Sequence, residues 1–61
     1  MYIIEINQNL YKAKTGNTKS IKDAERYVTF VQAQRVIDKS TEYNNANPVW
    51  VDEVSLTIKR D

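Results

Sequence analysis

The sequence predicts a single α+β domain over residues 1–61, in which a small antiparallel sheet of three or four strands packs against one helix. Three observations predict this fold. The N-terminal residues favour a β-hairpin, a capping pattern in the middle of the chain opens a helix, and the C-terminal residues have the alternation of a strand. The predicted element order is β-β-(β)-α-β. The strand in brackets forms only if residues 23–28 include a short strand.

The N-terminal hairpin is predicted from composition and alternation. Residues 2–6 are rich in β-forming side chains, and Ile4 and Ile6 would share one face while Ile3 lies on the other. A polar turn of hairpin length follows, and residues 10–14 alternate again. The single glycine of the chain marks the next loop.

The middle of the chain, residues 20–43, has two interpretations. A single long helix would carry two apolar stripes of different phase, which one helix cannot easily bury together. A split at Thr29 is preferred, because Thr29 and Gln32 have the spacing of a capping box. The helix would then cover residues 30–42, and residues 23–28 would form a turn and a short third strand. The side chains that this helix would bury are Ala33, Val36, Ile37 and part of Phe30.

The C-terminal residues 49–60 read as one strand of unusual length. Strands usually have about 5–6 residues, and twelve would span roughly 40 Å at about 3.3 Å per residue. A 61-residue domain is smaller than that. The strand must therefore bend, break, or project and pair with another chain.

Asp52 and Glu53 decide the geometry of this strand. A bulge at these two residues would keep the strand within the domain and turn Trp50 outward. A straight strand would bury Trp50 and leave Val49 and Val51 in need of a second chain. Both geometries are compatible with the sequence.

Composition limits the chemistry that this chain can perform. There is no Cys and no His, so thiolate metal sites and the commonest general base near neutral pH are excluded. Asp52 and Glu53 are adjacent carboxylates, but neighbours on a strand point to opposite faces and cannot act as an acid–base pair. We therefore expect no enzyme activity, no cofactor and no metal.

The size of the chain predicts a partner. Domains of about 60 residues are marginally stable alone, and small scaffolds usually need a disulfide, a metal or a second subunit. Since oligomerisation is the support left to this chain, we expect a homodimer with a seam along residues 49–59. A second face would bind a target. The interface candidates are Tyr43, Asn45, Val49, Trp50 and Val51.

Nucleic-acid binding is an alternative function. A lysine-bearing β-hairpin with an aromatic residue could follow a phosphate backbone, although the net charge is only +1. The competing explanation is a solvated hairpin whose lysines protect a sheet edge. A structural or assembly subunit is a third possibility. The nucleic-acid candidates are Tyr11, Lys12, Lys14, Lys19 and Lys22.

The predicted location is the cytoplasm. The longest apolar run has four residues, so no membrane-spanning segment is expected. The absence of Cys fits a reducing cytoplasm.

Several local patterns resemble a group of very small proteins encoded by phages and prophages of Gram-positive bacteria. The chain has a similar Tyr-x-Ile-x-Ile-like opening strand over residues 2–6 and an Asp-Ala-x-x-Tyr element over residues 23–27. A helix capped by Thr29, with Ala33 at its fourth position, and a closing strand complete the resemblance. It implies a non-enzymatic inhibitor of a bacterial host or anti-phage defence protein, commonly a small dimer, and supplies no catalytic residues. If the protein is encoded by a phage, its predicted location is the host bacterial cytoplasm.

Overall fold

The computed structural model describes residues 1–59 and confirms the α+β fold. Five antiparallel strands form one sheet with the spatial order β3-β2-β1-β4-β5, where three or four strands were predicted. Two 3₁₀ turns, Ile21–Asp23 and Thr41–Tyr43, complete the described elements. The strands are β1 (Tyr2–Asn7), β2 (Leu10–Lys12), β3 (Asn17–Thr18), β4 (Asn47–Asp52) and β5 (Thr57–Lys59), and the helix is α1 (Phe30–Asp38).

The central strand β1 is buried on both faces. Ile3 and Ile4 are both completely buried, and neighbouring strand residues point to opposite sides of a sheet. The core on the helix side consists of Ile4, Ala33, Ile37 and Ala46. The core on the opposite side consists of Ile3, Tyr11, Ala24 and Val51. The sheet is therefore the middle layer between α1 and a covering loop that carries the first 3₁₀ turn.

The helix begins where the capping box predicts. The Thr29 hydroxyl accepts a hydrogen bond from the backbone N–H of Gln32 (3.1 Å), and the Gln32 side chain accepts from the backbone N–H of Thr29 (3.4 Å). As predicted, Ala33 and Ile37 are buried, whereas Val36 is half-buried and Phe30 is exposed over about half of its surface. The helix thus presents its apolar stripe to the sheet.

The end of the helix differs from the prediction. The helix ends at Asp38 instead of continuing to residue 42. Ser40 is extended, and its hydroxyl accepts a hydrogen bond from the backbone N–H of Glu42 (3.2 Å), which starts the turn Thr41–Tyr43. Serine and threonine offer the backbone such local alternatives to a continued helix.

Residues 20–28 form neither a long helix nor the predicted third strand. After the first 3₁₀ turn the chain is extended, and Tyr27 alone bridges to β1 through two backbone hydrogen bonds with Tyr2, each 2.8 Å long. Glu25 also donates its backbone N–H to the carbonyl of Lys12 (2.9 Å). Since β2 ends at Lys12, residues 25–27 fill the vacant place beside the first half of β1. We call residues 25–27 the crossing segment.

The long C-terminal strand is broken rather than bulged or straight. Residues 53–56 form a turn in which the backbone N–H of Leu56 donates to the carbonyl of Asp52 (2.7 Å). Leu56 is left-handed with φ 54°, and the Asp52 carboxylate accepts from the backbone N–H of Val54 (3.0 Å). The chain then returns as β5, so the second half of the predicted strand pairs with the first half.

Pro48 lies inside β4, where strands seldom tolerate proline. Tyr2 directs its backbone groups toward Tyr27, so the pairs Tyr2–Trp50 and Ile4–Pro48 exchange no hydrogen bonds with each other. The Pro48 nitrogen therefore points away from β1. β5 pairs only with residues 50–52, so no described strand needs a donor at Pro48.

Replacing Thr29 by Ala should remove the capping hydrogen bond and lower the free energy of unfolding by about 1 kcal/mol. Urea denaturation followed by circular dichroism measures this change. Thr15→Ala is the control, because Thr15 is exposed in the β2–β3 loop, and it should change stability by less than about 0.5 kcal/mol. Equal effects of the two substitutions would contradict the capping role.

Candidate interaction surface

The strand register places four side chains in one row across the sheet. Tyr2 lies opposite Tyr27 on one side and opposite Trp50 on the other, and Trp50 lies opposite Lys59. Directly paired residues share a face. Tyr2 packs on the helix-side core, so the whole row projects on that side.

Phe30, the first residue of α1, packs against this row on the helix side of the sheet. The Tyr2 ring centroid lies 5.8 Å from that of Phe30 and 5.1 Å from that of Trp50, with interplanar angles of 86° and 75°. Edge-to-face contacts of this kind are a favoured aromatic geometry. Phe30 nevertheless remains 48% exposed and Trp50 45% exposed, while Tyr2 between them is half-buried. We call Tyr2, Phe30 and Trp50 the aromatic notch.

The sheet edges offer little for strand addition within the described residues. Val51 donates its backbone N–H to the carbonyl of Met1 (2.9 Å), so the paired Ile58 directs its own N–H and carbonyl outward. That is one donor and one acceptor on the outer edge of β5. The other edge strand, β3, has two residues. Short edges resist pairing with another chain, which makes the faces of the sheet the more suitable binding surfaces.

The structure distributes the predicted interface residues over two faces. Val51 is 1% exposed and Val49 packs against the same core on the side opposite the helix. Trp50 and the half-buried Tyr43 lie on the helix side, and Asn45 is exposed in the loop before β4. Only Trp50 belongs to the aromatic notch. The sequence interpretation did not select Tyr2 or Phe30, because their proximity to Trp50 depends on strand register.

The predicted nucleic-acid residues also have different environments. Tyr11 is buried in the core opposite the helix, so its ring is not accessible for stacking on a base. Lys12 is paired with Glu25, with 3.0 Å between its Nζ and the carboxylate oxygen. The remaining three, Lys14, Lys19 and Lys22, are exposed.

Lys12, Glu25 and Tyr27 form a partly buried polar cluster. Glu25 Oε1 accepts hydrogen bonds from Lys12 Nζ and from the Tyr27 hydroxyl. The hydrogen bond from Tyr27, and further the contact with Lys12, lower the pKa of Glu25. Burial and the hydrogen bond to Glu25 raise the pKa of Tyr27. The cluster fastens the crossing segment to β2, so its side chains serve the fold.

Arg26 fastens the chain on the face of the sheet opposite the helix. Its Nε donates to both carboxylate oxygens of Glu53 (3.1 and 3.0 Å), and its Nη1 donates to the carbonyls of Ile21 (2.7 Å) and Ala24 (2.8 Å). The branched guanidinium suits several acceptors at once. Arg26 thereby ties the covering loop to the β4–β5 turn.

Other kinds of site have little support in residues 1–59. This part of the chain contains no group of three or more carboxylate, His or Cys side chains placed to hold a metal ion. An open cleft lies between the β1–β2 turn and the loop before β4, where Asn7, Gln8, Asn45 and Asn47 are among its lining residues. None of the helices described here is both long and apolar enough to cross a membrane.

Comparison with known proteins gives no relative: no protein-family model, curated protein or solved structure matches the chain. The resemblance to small phage proteins therefore stays a prediction, and the function has to be argued from the surface of this chain.

Replacing Glu25 by Gln tests the polar cluster. Because the folded-state pKa of Glu25 is lowered, its ionised form stabilises the fold above the usual value of 4.5, and this contribution disappears as pH falls below that value. At pH 7 we expect the variant to lose about 1 kcal/mol of unfolding free energy, with a weaker loss of stability toward acid than wild type. Urea unfolding at several pH values measures both.

The control for that experiment is Glu42→Gln, which removes the same charge from an exposed position in the second 3₁₀ turn. Identical pH profiles for the two variants would show that the cluster does not fasten the crossing segment.

Proposed function

We propose that this chain is a non-enzymatic protein that acts by binding another protein through the aromatic notch. The observation that carries this proposal is the exposure of Phe30 and Trp50, which stay about half in solvent although each contacts Tyr2. Tyr, Trp and Phe are enriched in the centres of protein interfaces. Exposed apolar patches on small proteins commonly mark interaction sites.

The charge distribution supports the same surface. No charged residue occurs between Arg26 and Arg35, so the start of α1 and the approach to it are uncharged. Charged residues are depleted at the centres of interfaces, where they would have to lose water. Lys59 is the charged member of the row, at its far end beside Trp50.

The kind of partner is proposed from the sequence resemblance to small phage proteins. The partner would be a bacterial host or anti-phage defence protein, and the chain would inhibit it in the bacterial cytoplasm by covering a functional surface. Such inhibition requires a rigid, accessible binding face and no catalytic group. The aromatic notch has this character, since its three rings are held by the sheet and by the first turn of α1.

Phe30→Glu is the most direct test of this function. An acidic residue in the first turn of a helix is compatible with helix stability, so α1 should still form, and circular dichroism checks that the variant is folded. We expect expression of the wild-type chain to raise phage plating on bacteria that carry a susceptible defence system. Phe30→Glu should lower that effect at least about tenfold, as expected for loss of an interface anchor worth over about 1.4 kcal/mol.

Val31→Glu is the matched control for that variant. It introduces the same charge one position further along the same helical turn, where the side chain is exposed and has no aromatic contact with the notch. It should retain wild-type activity. Equal activity of Phe30→Glu and wild type, with unchanged circular dichroism, would contradict the notch as the binding surface.

A homodimer remains part of the proposal, but on a changed physical basis. Residues 57–59 find a partner strand within the chain, so strand length no longer requires a second copy. The small core still favours a second copy, because Ile3, Ile4 and Val51 are the only fully buried large side chains among residues 1–59. Sedimentation at micromolar concentration should give twice the chain mass of 7.1 kDa. A species of only 7.1 kDa would exclude the dimer.

A further inference from the structure

We propose that the aromatic notch binds a short proline-containing segment of the partner protein in the extended polyproline II conformation. This inference rests on the proposed function and specifies the ligand of the same surface.

The notch consists of the half-buried ring of Tyr2 and the exposed rings of Phe30 and Trp50. Phe30 and Trp50 each contact the ring of Tyr2, and Phe30 follows Tyr27, which flanks Tyr2 on the side away from Trp50. The two ring distances place the rings of Phe30 and Trp50 no more than about 11 Å apart. A polyproline II helix repeats every three residues, about 9 Å at about 3.1 Å per residue. One turn of such a segment is therefore within this upper limit on the separation of the two rings.

The notch also offers hydrogen-bond donors. No described residue accepts a hydrogen bond from the Tyr2 hydroxyl or from the Trp50 indole N–H. A polyproline II segment makes no internal hydrogen bonds, so its backbone carbonyls are available as acceptors. Aromatic rings and such donors are the elements by which proteins recognise proline-rich segments. The stiffness of proline also lowers the entropy lost on binding.

The exposed area favours a short segment over a second copy of this chain. Large aromatic side chains bury about 150–250 Å² each, and Phe30 and Trp50 are each about half exposed. Together they offer on the order of 200 Å², whereas stable protein–protein interfaces use about 800 Å² per partner. A segment of a few residues can cover the notch completely.

Charge defines one end of the ligand. Lys59 is the next residue in the row beyond Trp50 and is exposed. By contrast, the charged residues beside Tyr27 at the opposite end, Lys12 and Glu25, are paired with each other. A carboxylate beside the proline, on the Lys59 side, would complement this arrangement. The expected ligand is thus a proline-rich segment with an adjacent acidic residue.

Trp50 is the only tryptophan of the chain, so its fluorescence reports binding directly. The intact protein is titrated with a synthetic ten-residue peptide of nine prolines and one glutamate, and with a peptide in which alanines replace the prolines. We expect a saturable change in emission with the proline peptide, at a Kd between about 10 µM and 1 mM. The alanine peptide and the Phe30→Glu variant should each bind at least about tenfold more weakly, whereas Val31→Glu should bind like wild type.

Lys59→Glu tests the charge at the end of the row. This variant should bind the glutamate peptide several-fold more weakly than wild type and should bind a peptide of nine prolines and one lysine more tightly. Unchanged preference between the two peptides would remove the acidic residue from the proposed ligand.

The outcomes separate this inference from the proposed function. Absence of saturable binding to the proline peptide, or equal binding of the alanine peptide, overturns the inference. If Phe30→Glu still abolishes the effect on phage plating in that case, the protein-binding function stands and only the proline-containing ligand is excluded. Binding of a ten-nucleotide uridine RNA, weakening steeply with salt, would overturn both in favour of nucleic-acid recognition.

Discussion

The structure depends on the complete burial of two neighbouring residues, Ile3 and Ile4, in the central strand. Because they point to opposite faces of the sheet, a layer on one face alone would leave one of them in water. Each buried isoleucine contributes roughly 1.5–3 kcal/mol relative to exposure, which is a large share of the stability of so small a domain. A nine-residue helix covers one face. The chain must therefore cover the other face with a loop.

The crossing segment connects the loop that covers one face with the helix that covers the other. Residues 21–24 cover the face opposite the helix, and the chain then passes beside β1 to reach the helix side. Along the crossing segment the side chains alternate as on a strand. Arg26 fastens the covering loop and the β4–β5 turn, whereas Glu25 and Tyr27 fasten β2. The same few residues thus hold both layers in place.

The aromatic notch is a geometric consequence of this crossing. The two backbone hydrogen bonds between Tyr27 and Tyr2 fix where the helix can begin, and Phe30 follows three residues later. The β4 register brings Trp50 to the other side of Tyr2. The helix starts at this row instead of covering it, so the rings remain exposed. Exposed aromatic side chains lower solubility and are typical of interaction sites.

The sequence by itself determined the features that depend on contacts between near neighbours. The capping box of Thr29 and Gln32 spans four residues, and the first hairpin closes over a short polar turn, which has two residues where three were predicted. Both the cap and the hairpin were predicted because their hydrogen bonds are local. Only the tertiary structure decided the break at residues 53–56, because the left-handed position of this turn is occupied by Leu56, where glycine or asparagine would have identified it. It also decided the pairing of Tyr2 with Tyr27 and Trp50. Those contacts join residues distant in sequence, and their register is set by how the two cores on either side of Ile3 and Ile4 are filled.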